Sequence, residues 1–357
     1  MTLPRRQFAQ SLAQSLAFSG LAAASSVASA ANANAQTQRM PTLLPRALKP
    51  GDTVGLVSPA NASWMSDDFD YAIDTLKALG FQVREGRHLR SRWGKFGGAD
   101  AERAGDLNAM FADPAIAGIF AMTGGSGCNR IVDKLDYATI RRNPKYFGGF
   151  SDITCLLNAI QRQTGLVTFH APVGESEWNG YSVENFQAVV MRGEAATLRN
   201  PEPSRGDNLV ARGERTVTLR GGKARGVLVG GNLSVLSSLA GSDYFPDCRG
   251  AILFIEEINE YLYRVERMLS TLRLAGAFDQ LAGVVIGQFT KCEPGDGYGN
   301  LTLEEILNDY FLPLNVPVYR GAMFGHVKLK LTVPVGAPAE VDADARTIRL
   351  LQPATLA

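Results

Sequence analysis

Four short segments of this 357-residue sequence place reactive or glycine-rich groups directly after apolar runs. The sharpest is Tyr146-Phe147-Gly148-Gly149-Phe150-Ser151-Asp152-Ile153-Thr154, where an apolar strand pattern leads to a serine and then to helical periodicity. A serine at the carboxyl end of a parallel strand lies where open α/β sheets bind ligands. The N–H groups of the helix that follows can stabilise an oxyanion beside it. The segment is not Gly-x-Ser-x-Gly, because Ile153 stands at the final glycine; the plain alternative is that Ser151 only caps the helix. A second turn, Thr123-Gly124-Gly125-Ser126-Gly127-Cys128-Asn129-Arg130, also joins an apolar run to a helical one. It lacks both Gly-x-Gly-x-x-Gly spacing and the lysine of a P-loop, so it reads as a ligand-facing turn or a simple tight turn. Third, Leu253-Phe254-Ile255-Glu256-Glu257-Ile258 sets two carboxylates after an apolar strand, one to be directed into a cleft and the other solvated. Fourth, Phe324-Gly325-His326 sets a histidine beside a glycine that permits close approach. His170 competes for the same role, since it too ends a strand pattern. His88, His170 and His326 are far apart and form no zinc spacing.

The elements that must position these groups alternate. Thr53–Val57 reads as a buried strand ending at Ser58-Pro59-Ala60, and Ser66 can cap a helix whose apolar positions run from Phe69 to Leu79. Strands then follow at 81–83, 116–122, 146–150 and 166–170, with helices at 99–111, around 130–135 and at 153–164. This βαβα series implies a parallel sheet covered by helices. A helical stretch at 183–191 precedes Pro201, Pro203, Ser204 and Gly206, which mark a crossing. Beyond it, strands at 225–229, 251–255, 283–287 and 347–351 mix with helices at 234–240, 264–275 and 303–310. The fold class is therefore α/β, an N-terminal Rossmann-like parallel-sheet domain followed by an α+β C-terminal domain. The division is a nucleophile domain over 47–175, a crossing segment over 176–207 and a second domain over 208–357.

With 36 basic and 35 acidic residues the formal net charge is +1, which gives no electrostatic reason to expect nucleic acid. Arg5-Arg6-Gln7-Phe8 precedes an Ala- and Ser-rich run from Leu12 to Val27, and Ala28-Ser29-Ala30 offers a cleavage site. Residues 1–30 thus resemble a twin-arginine signal peptide, with 31–46 as a linker and a periplasmic or otherwise exported product. No later stretch approaches the ~18 apolar residues of a membrane span. The four cysteines, Cys128, Cys155, Cys248 and Cys292, form no metal or disulfide framework and are expected to be free and mostly buried.

Taken together, these segments resemble the serine LD-carboxypeptidase family, which includes muramoyltetrapeptide carboxypeptidases and microcin-immunity-like hydrolases. The resemblance runs from about Ala47 to Pro353. Besides the segments above, it is carried by Gly51–Ala60, Leu135-Asp136-Tyr137, Thr168-Phe169-His170-Ala171-Pro172, Gly230-Gly231-Asn232-Leu233 and Tyr263–Leu269. It implies a Ser-Glu-His triad at Ser151 (nucleophile), Glu256 (orienting carboxylate) and His326 (general base), with the site in a cleft between the domains. An unactivated serine is a poor nucleophile and needs such a base. The oxyanion donors fall on the backbone N–H groups of Gly125 and Asp152, and Gly124, Ser126 and Asn232 are expected to contact substrate. Many relatives carry Arg-Gly-Gly-Tyr-Gly where this chain has Thr123-Gly124-Gly125-Ser126-Gly127, and a proline where it has Leu262. An arginine and a tyrosine that could hold substrate are thus missing.

The implied activity is hydrolysis of the amide between an L-centre and a C-terminal D-amino acid of a small murein peptide, through an acyl-enzyme and without metal or cofactor. Relatives imply a homodimer. The alternatives are a microcin-immunity-like hydrolase of peptidyl or aminoacyl conjugates, or an exported solute-binding protein that does no chemistry.

Overall fold

The computed structural model describes residues 39–203, 206–211, 215–295 and 300–357. The twin-arginine segment and the predicted cleavage site lie outside them. Two sheets organise residues 40–357. Strands β1 (Thr53–Val57), β2 (Gln82–Glu85), β3 (Gly118–Ala121), β4 (Tyr146–Gly149) and β5 (Thr168–His170) form a parallel sheet in the order β5-β4-β3-β1-β2. Its inner strands are short and mostly apolar because helices cover both faces: every residue of β3, β4 and β5 is buried, whereas the edge strand β2 is largely exposed.

The second sheet takes β6 (Thr197–Leu198), β7 (Val217–Arg220), β8 (Lys223–Asn232), β9 (Ala251–Ile258), β10 (Gly283–Thr290) and β11 (Val318–Arg320), together with β13 (Pro338–Asp342) and β14 (Thr347–Leu350). Its centre, β8-β9-β10-β11, is parallel, and its margins are antiparallel. The remaining strand, β12 (Val333–Val335), comes from the C-terminal third of the sequence but pairs antiparallel with β5 of the first sheet, Val333 opposite His170. One continuous core therefore runs from Leu56 and Phe120 to Phe254 and Val285 of the second sheet. A second core, with Val265, Leu269 and Phe311, fills the far face of that sheet.

Three local expectations change. The helix expected around 130–135 is two 3₁₀ turns, and the α-helix begins only at Tyr137. The reason is Asp136, whose carboxylate accepts the Thr139 N–H at 2.9 Å and its hydroxyl at 2.6 Å, fixing the start one turn later. Ser66 is the first helical residue of Ser66–Ala78, not its cap; the Asp68 carboxylate accepts the Met65 N–H instead. The stretch expected as one helix over 183–191 is α-helical over Gly180–Phe186 and π-helical over Gln187–Met191. Among the described residues, no helix is long and apolar enough to cross a membrane.

Candidate active site

The site is assembled from three loops at the carboxyl ends of strands. After β4 the chain leaves extended geometry at Phe150 and turns sharply at Ser151, whose φ is +63°, before a 3₁₀ turn opens helix Thr154–Thr164. A non-glycine residue in the left-handed region is strained and persists where its surroundings hold it. The turn lifts the Ser151 hydroxyl off the sheet, and Asp152 N–H falls in the opening turn, where no intrahelical acceptor exists. The Asp152 side chain faces inward instead, accepting the Cys128 N–H at 2.8 Å, and burial pushes its carboxyl upward.

The glycine turn lies directly opposite. A Cβ on Gly124 would stand 2.7 Å from the Ser151 Cβ, so only glycine lets the two loops approach this closely. Gly125 has φ +116°, and a Cβ there would sit 2.1 Å from the Asn61 side chain. Asn61 pins the turn by donating its N–H to the Gly124 carbonyl at 3.1 Å and accepting the Ser126 N–H at 3.1 Å. Beneath it the buried Arg103 guanidinium donates to the carbonyls of Pro59 (2.5 Å) and Gly127 (3.0 Å).

Two partners arrive from the second sheet. Glu256, on β9, is fully buried, and its Oε2 meets His326 Nδ1 at 2.7 Å and the His326 N–H at 3.3 Å. His326 sits in the loop after β11, and its Nε2 lies 3.1 Å from Ser151 Oγ. Carboxylate, imidazole and hydroxyl thus form one hydrogen-bonded series, across 175 residues between serine and histidine. The Phe150 ring lies edge-on to the imidazole, 5.0 Å between centroids. His170 does not join them. It is buried among Phe150, Phe254 and Phe324, neither ring nitrogen has a hydrogen-bond partner among the described residues, and burial holds its pKa down at about 4. His88 is remote and bonded to Asp106.

The series opens into a pocket of about 650 Å³ lined by Ser151, His326, Gly124 and Gly125, with Trp64 and Lys330 among the outer walls.

Residues 54–171 match the family model described as the LD-carboxypeptidase N-terminal domain, and residues 225–341 match that of the LD-carboxypeptidase C-terminal domain. A Bacillus subtilis protein named "Probable murein peptide carboxypeptidase" is 37% identical over 308 residues, spanning 85% of this chain and 92% of the relative. The chain belongs to the LD-carboxypeptidase family. Two solved structures share its fold. The microcin C7 self-immunity protein, whose sequence relative is from Escherichia coli, superposes with TM-score 0.78 at 28% identity, over 88% of this chain and all of the other. Muramoyltetrapeptide carboxypeptidase from Oxalobacter formigenes superposes with TM-score 0.70 at 27% identity, over 84% and 97%.

Within this LD-carboxypeptidase, three expectations about individual residues are revised. Asn232 does not face the pocket: it is buried, its Oδ1 caps helix Leu233–Ser238 and its amide donates to Glu257 at 3.0 Å. Glu257 is not the solvated neighbour of Glu256 but is itself buried, accepting N–H groups of Ser234 (2.7 Å) and Ile258 (2.8 Å). Burial pushes its carboxyl up to about 7 against those donors. Ser126 has its hydroxyl buried, without a hydrogen-bond partner among the described residues, and does not line the pocket. Cys128, Cys155 and Cys292 are free thiols, and Cys128, Cys155 and Cys248 are buried.

Asn61, Arg103 and Lys330 also belong to this neighbourhood, although they stand outside the motifs of the sequence. Asn61 follows Ser58-Pro59-Ala60 at the carboxyl end of β1, so the strand-end rule that singled out Ser151 could have found it. Arg103 and Lys330 carry no such signal, because only the folded chain sets Arg103 beneath the glycine turn and Lys330 in the pocket wall.

Proposed function

We propose that this chain is a serine LD-carboxypeptidase that releases the C-terminal D-amino acid from a small murein peptide. The observation that carries this reading is the Glu256–His326–Ser151 series, which ends in a pocket lined by Gly124 and Gly125. Ser151 Oγ attacks the scissile carbonyl carbon while His326 Nε2 takes its proton. Glu256 holds Nδ1–H and stabilises the imidazolium. The tetrahedral oxyanion is received by the N–H groups of Asp152 and Gly125, where one donor is worth ~3 kcal/mol. His326 then protonates the leaving amine of the D-residue, and water, deprotonated by the same imidazole, releases the acyl group from Ser151. In this reading the nucleophile comes from residues 47–175 and the other two groups from 208–357, with 176–207 as the crossing.

We further propose that Arg5-Arg6 and the run after it direct export, which would set the enzyme beside murein, and that it acts as a homodimer. A second reading, hydrolysis of an aminoacyl conjugate, is favoured by Trp64. Its ring is 62% exposed at the pocket, and the Arg92 guanidinium lies 4.3 Å from its centroid, which suits a planar group. Mass spectrometry after incubation with murein tetrapeptide and tripeptide, and in parallel with an aminoacyl-nucleotide conjugate, separates the two. Loss of one alanine from the tetrapeptide is expected. Cleavage of the conjugate alone would replace the murein reading with the second.

A further inference from the structure

A carboxypeptidase must recognise the free carboxylate that distinguishes the last residue from an internal one. Carboxylates are met most strongly by a desolvated cation. In this chain position 123 is threonine, and Arg130 at the far end of the glycine turn is paired with Asp100. Two lysines line the pocket. Lys328 has an 82% exposed side chain and is already 3.7 Å from Glu177, an arrangement of little energetic consequence.

Lys330 is different in each respect. The residue is only 8% exposed, and among the described residues no carboxylate lies within ion-pairing distance of its ammonium. Its Nζ donates to the Val327 carbonyl and stands 5.2 Å from the centroid of the Phe150 ring, which itself flanks Ser151 and His326. The backbone is fixed as well, since the Lys330 N–H donates to the buried Ser182 at 2.9 Å. Burial holds its pKa down, opposed only in part by the charges of Glu177 and Glu256. A single carbonyl and an aromatic face do not compensate a buried cation. An arriving carboxylate would.

We infer that Lys330 is the specificity residue of this site, receiving the C-terminal carboxylate of the substrate and thereby restricting cleavage to the last amide bond. The inference rests on the carboxypeptidase reading and names the group that makes it exo-acting. It also accounts for a lysine rather than an arginine: the receptor is a partly buried group beside the Phe150 ring, which suits a compact point charge on a flexible stem.

The test separates binding from turnover. In a Ser151→Ala background, affinities are measured by calorimetry for a murein tetrapeptide ending in a free acid and for the same peptide ending in an amide. The acid should bind at least tenfold more tightly. Adding Lys330→Gln should bring the acid down to the affinity of the amide, while Lys330→Arg should keep part of the preference. Thermal melting supplies a second readout. Because the cost of burying the charge outweighs the attraction of Glu177 and Glu256 without ligand, Lys330→Gln should melt no lower than its parent, whereas a purely structural lysine would leave a destabilised protein. An undiminished acid preference in the folded Lys330→Gln protein overturns the inference, even if the Ser151-intact enzyme releases D-alanine normally. Loss of the preference without any D-alanine release by the Ser151-intact enzyme would instead sustain the receptor and overturn the carboxypeptidase reading. Absence of both binding and turnover overturns both.

Discussion

Replacing Gly325 by alanine should disable the site from behind without touching any group that reacts. Gly325 precedes His326, has φ +86°, and an added Cβ would lie 2.3 Å from both Cδ and Oε2 of Glu256. Ordinary contact between such atoms is ~3.5 Å or more, so something must move by about 1 Å. Glu256 is fully buried on a central strand and cannot swing into solvent; the His326 loop must therefore retreat and stretch the 2.7 Å bond to Glu256 and the 3.1 Å contact with Ser151. A misplacement of ~1 Å at reacting groups costs roughly 10²-fold, or ~2.7 kcal/mol of transition-state stabilisation. The left-handed backbone adds ~1–2 kcal/mol of folding stability lost, and overpacking ~1–3 kcal/mol more.

Gly241→Ala isolates the backbone contribution, because Gly241 has φ +82° with nothing within 4 Å of the added Cβ. It should lose only ~1–2 kcal/mol and keep full reactivity. Urea unfolding gives the stability of each variant, and the rate of Ser151 labelling by a fluorophosphonate reports its activation without assuming a substrate. Wild-type labelling of a folded Gly325→Ala protein, or equal loss in Gly241→Ala, would refute the reasoning.

Ser151→Ala and His326→Ala should each remove most of the activity, with the double variant little worse than either, because the two act as one unit; measured kcat/KM values that multiplied would contradict this. Glu256→Gln should cost less than either, since it keeps the shape but supports the imidazolium poorly. For His170 the folded pKa of about 4 lies below the ordinary 6.5. The unfolded chain therefore binds the extra proton, and stability should fall as pH drops from about 6.5 toward 4. His170→Phe, compatible with its aromatic surroundings, should shrink that fall in urea titrations at pH 7 and pH 4.5 while leaving the triad active; an unchanged pH dependence would show that His170 is not the source. Exchanging Arg5 and Arg6 for lysines should leave the precursor uncleaved in the cytoplasm, as seen by immunoblotting of fractions, and continued processing would point to general secretion.

Much of this architecture was legible along the chain because its causes are local. A short apolar strand, a serine and then one-face helical spacing specify the β4–Ser151–helix junction, and the same alternation specifies a parallel sheet with its functional loops at one end. The glycine pair at 124–125 was visible as a turn, although only the facing positions of Ser151 and Asn61 explain why both must be glycine. Resemblance to a family pointed to Glu256 and His326; the residues alone left His170 open, since each histidine ends an apolar run.

What local pattern could not decide is which polar groups meet. His170 loses its candidacy because three phenylalanine rings from three different segments enclose it. Glu256 and Glu257 are adjacent and alike, yet strand alternation turns one toward His326 and the other toward the Asn232 cap. β12 returns from the second half of the sequence to pair with β5, and the loop before it brings Lys330 to the pocket. Such long-range pairings depend on the total buried surface of the folded chain, which no window of the sequence contains, whereas strand, turn and helix signals depend on nearest neighbours and are written where they act.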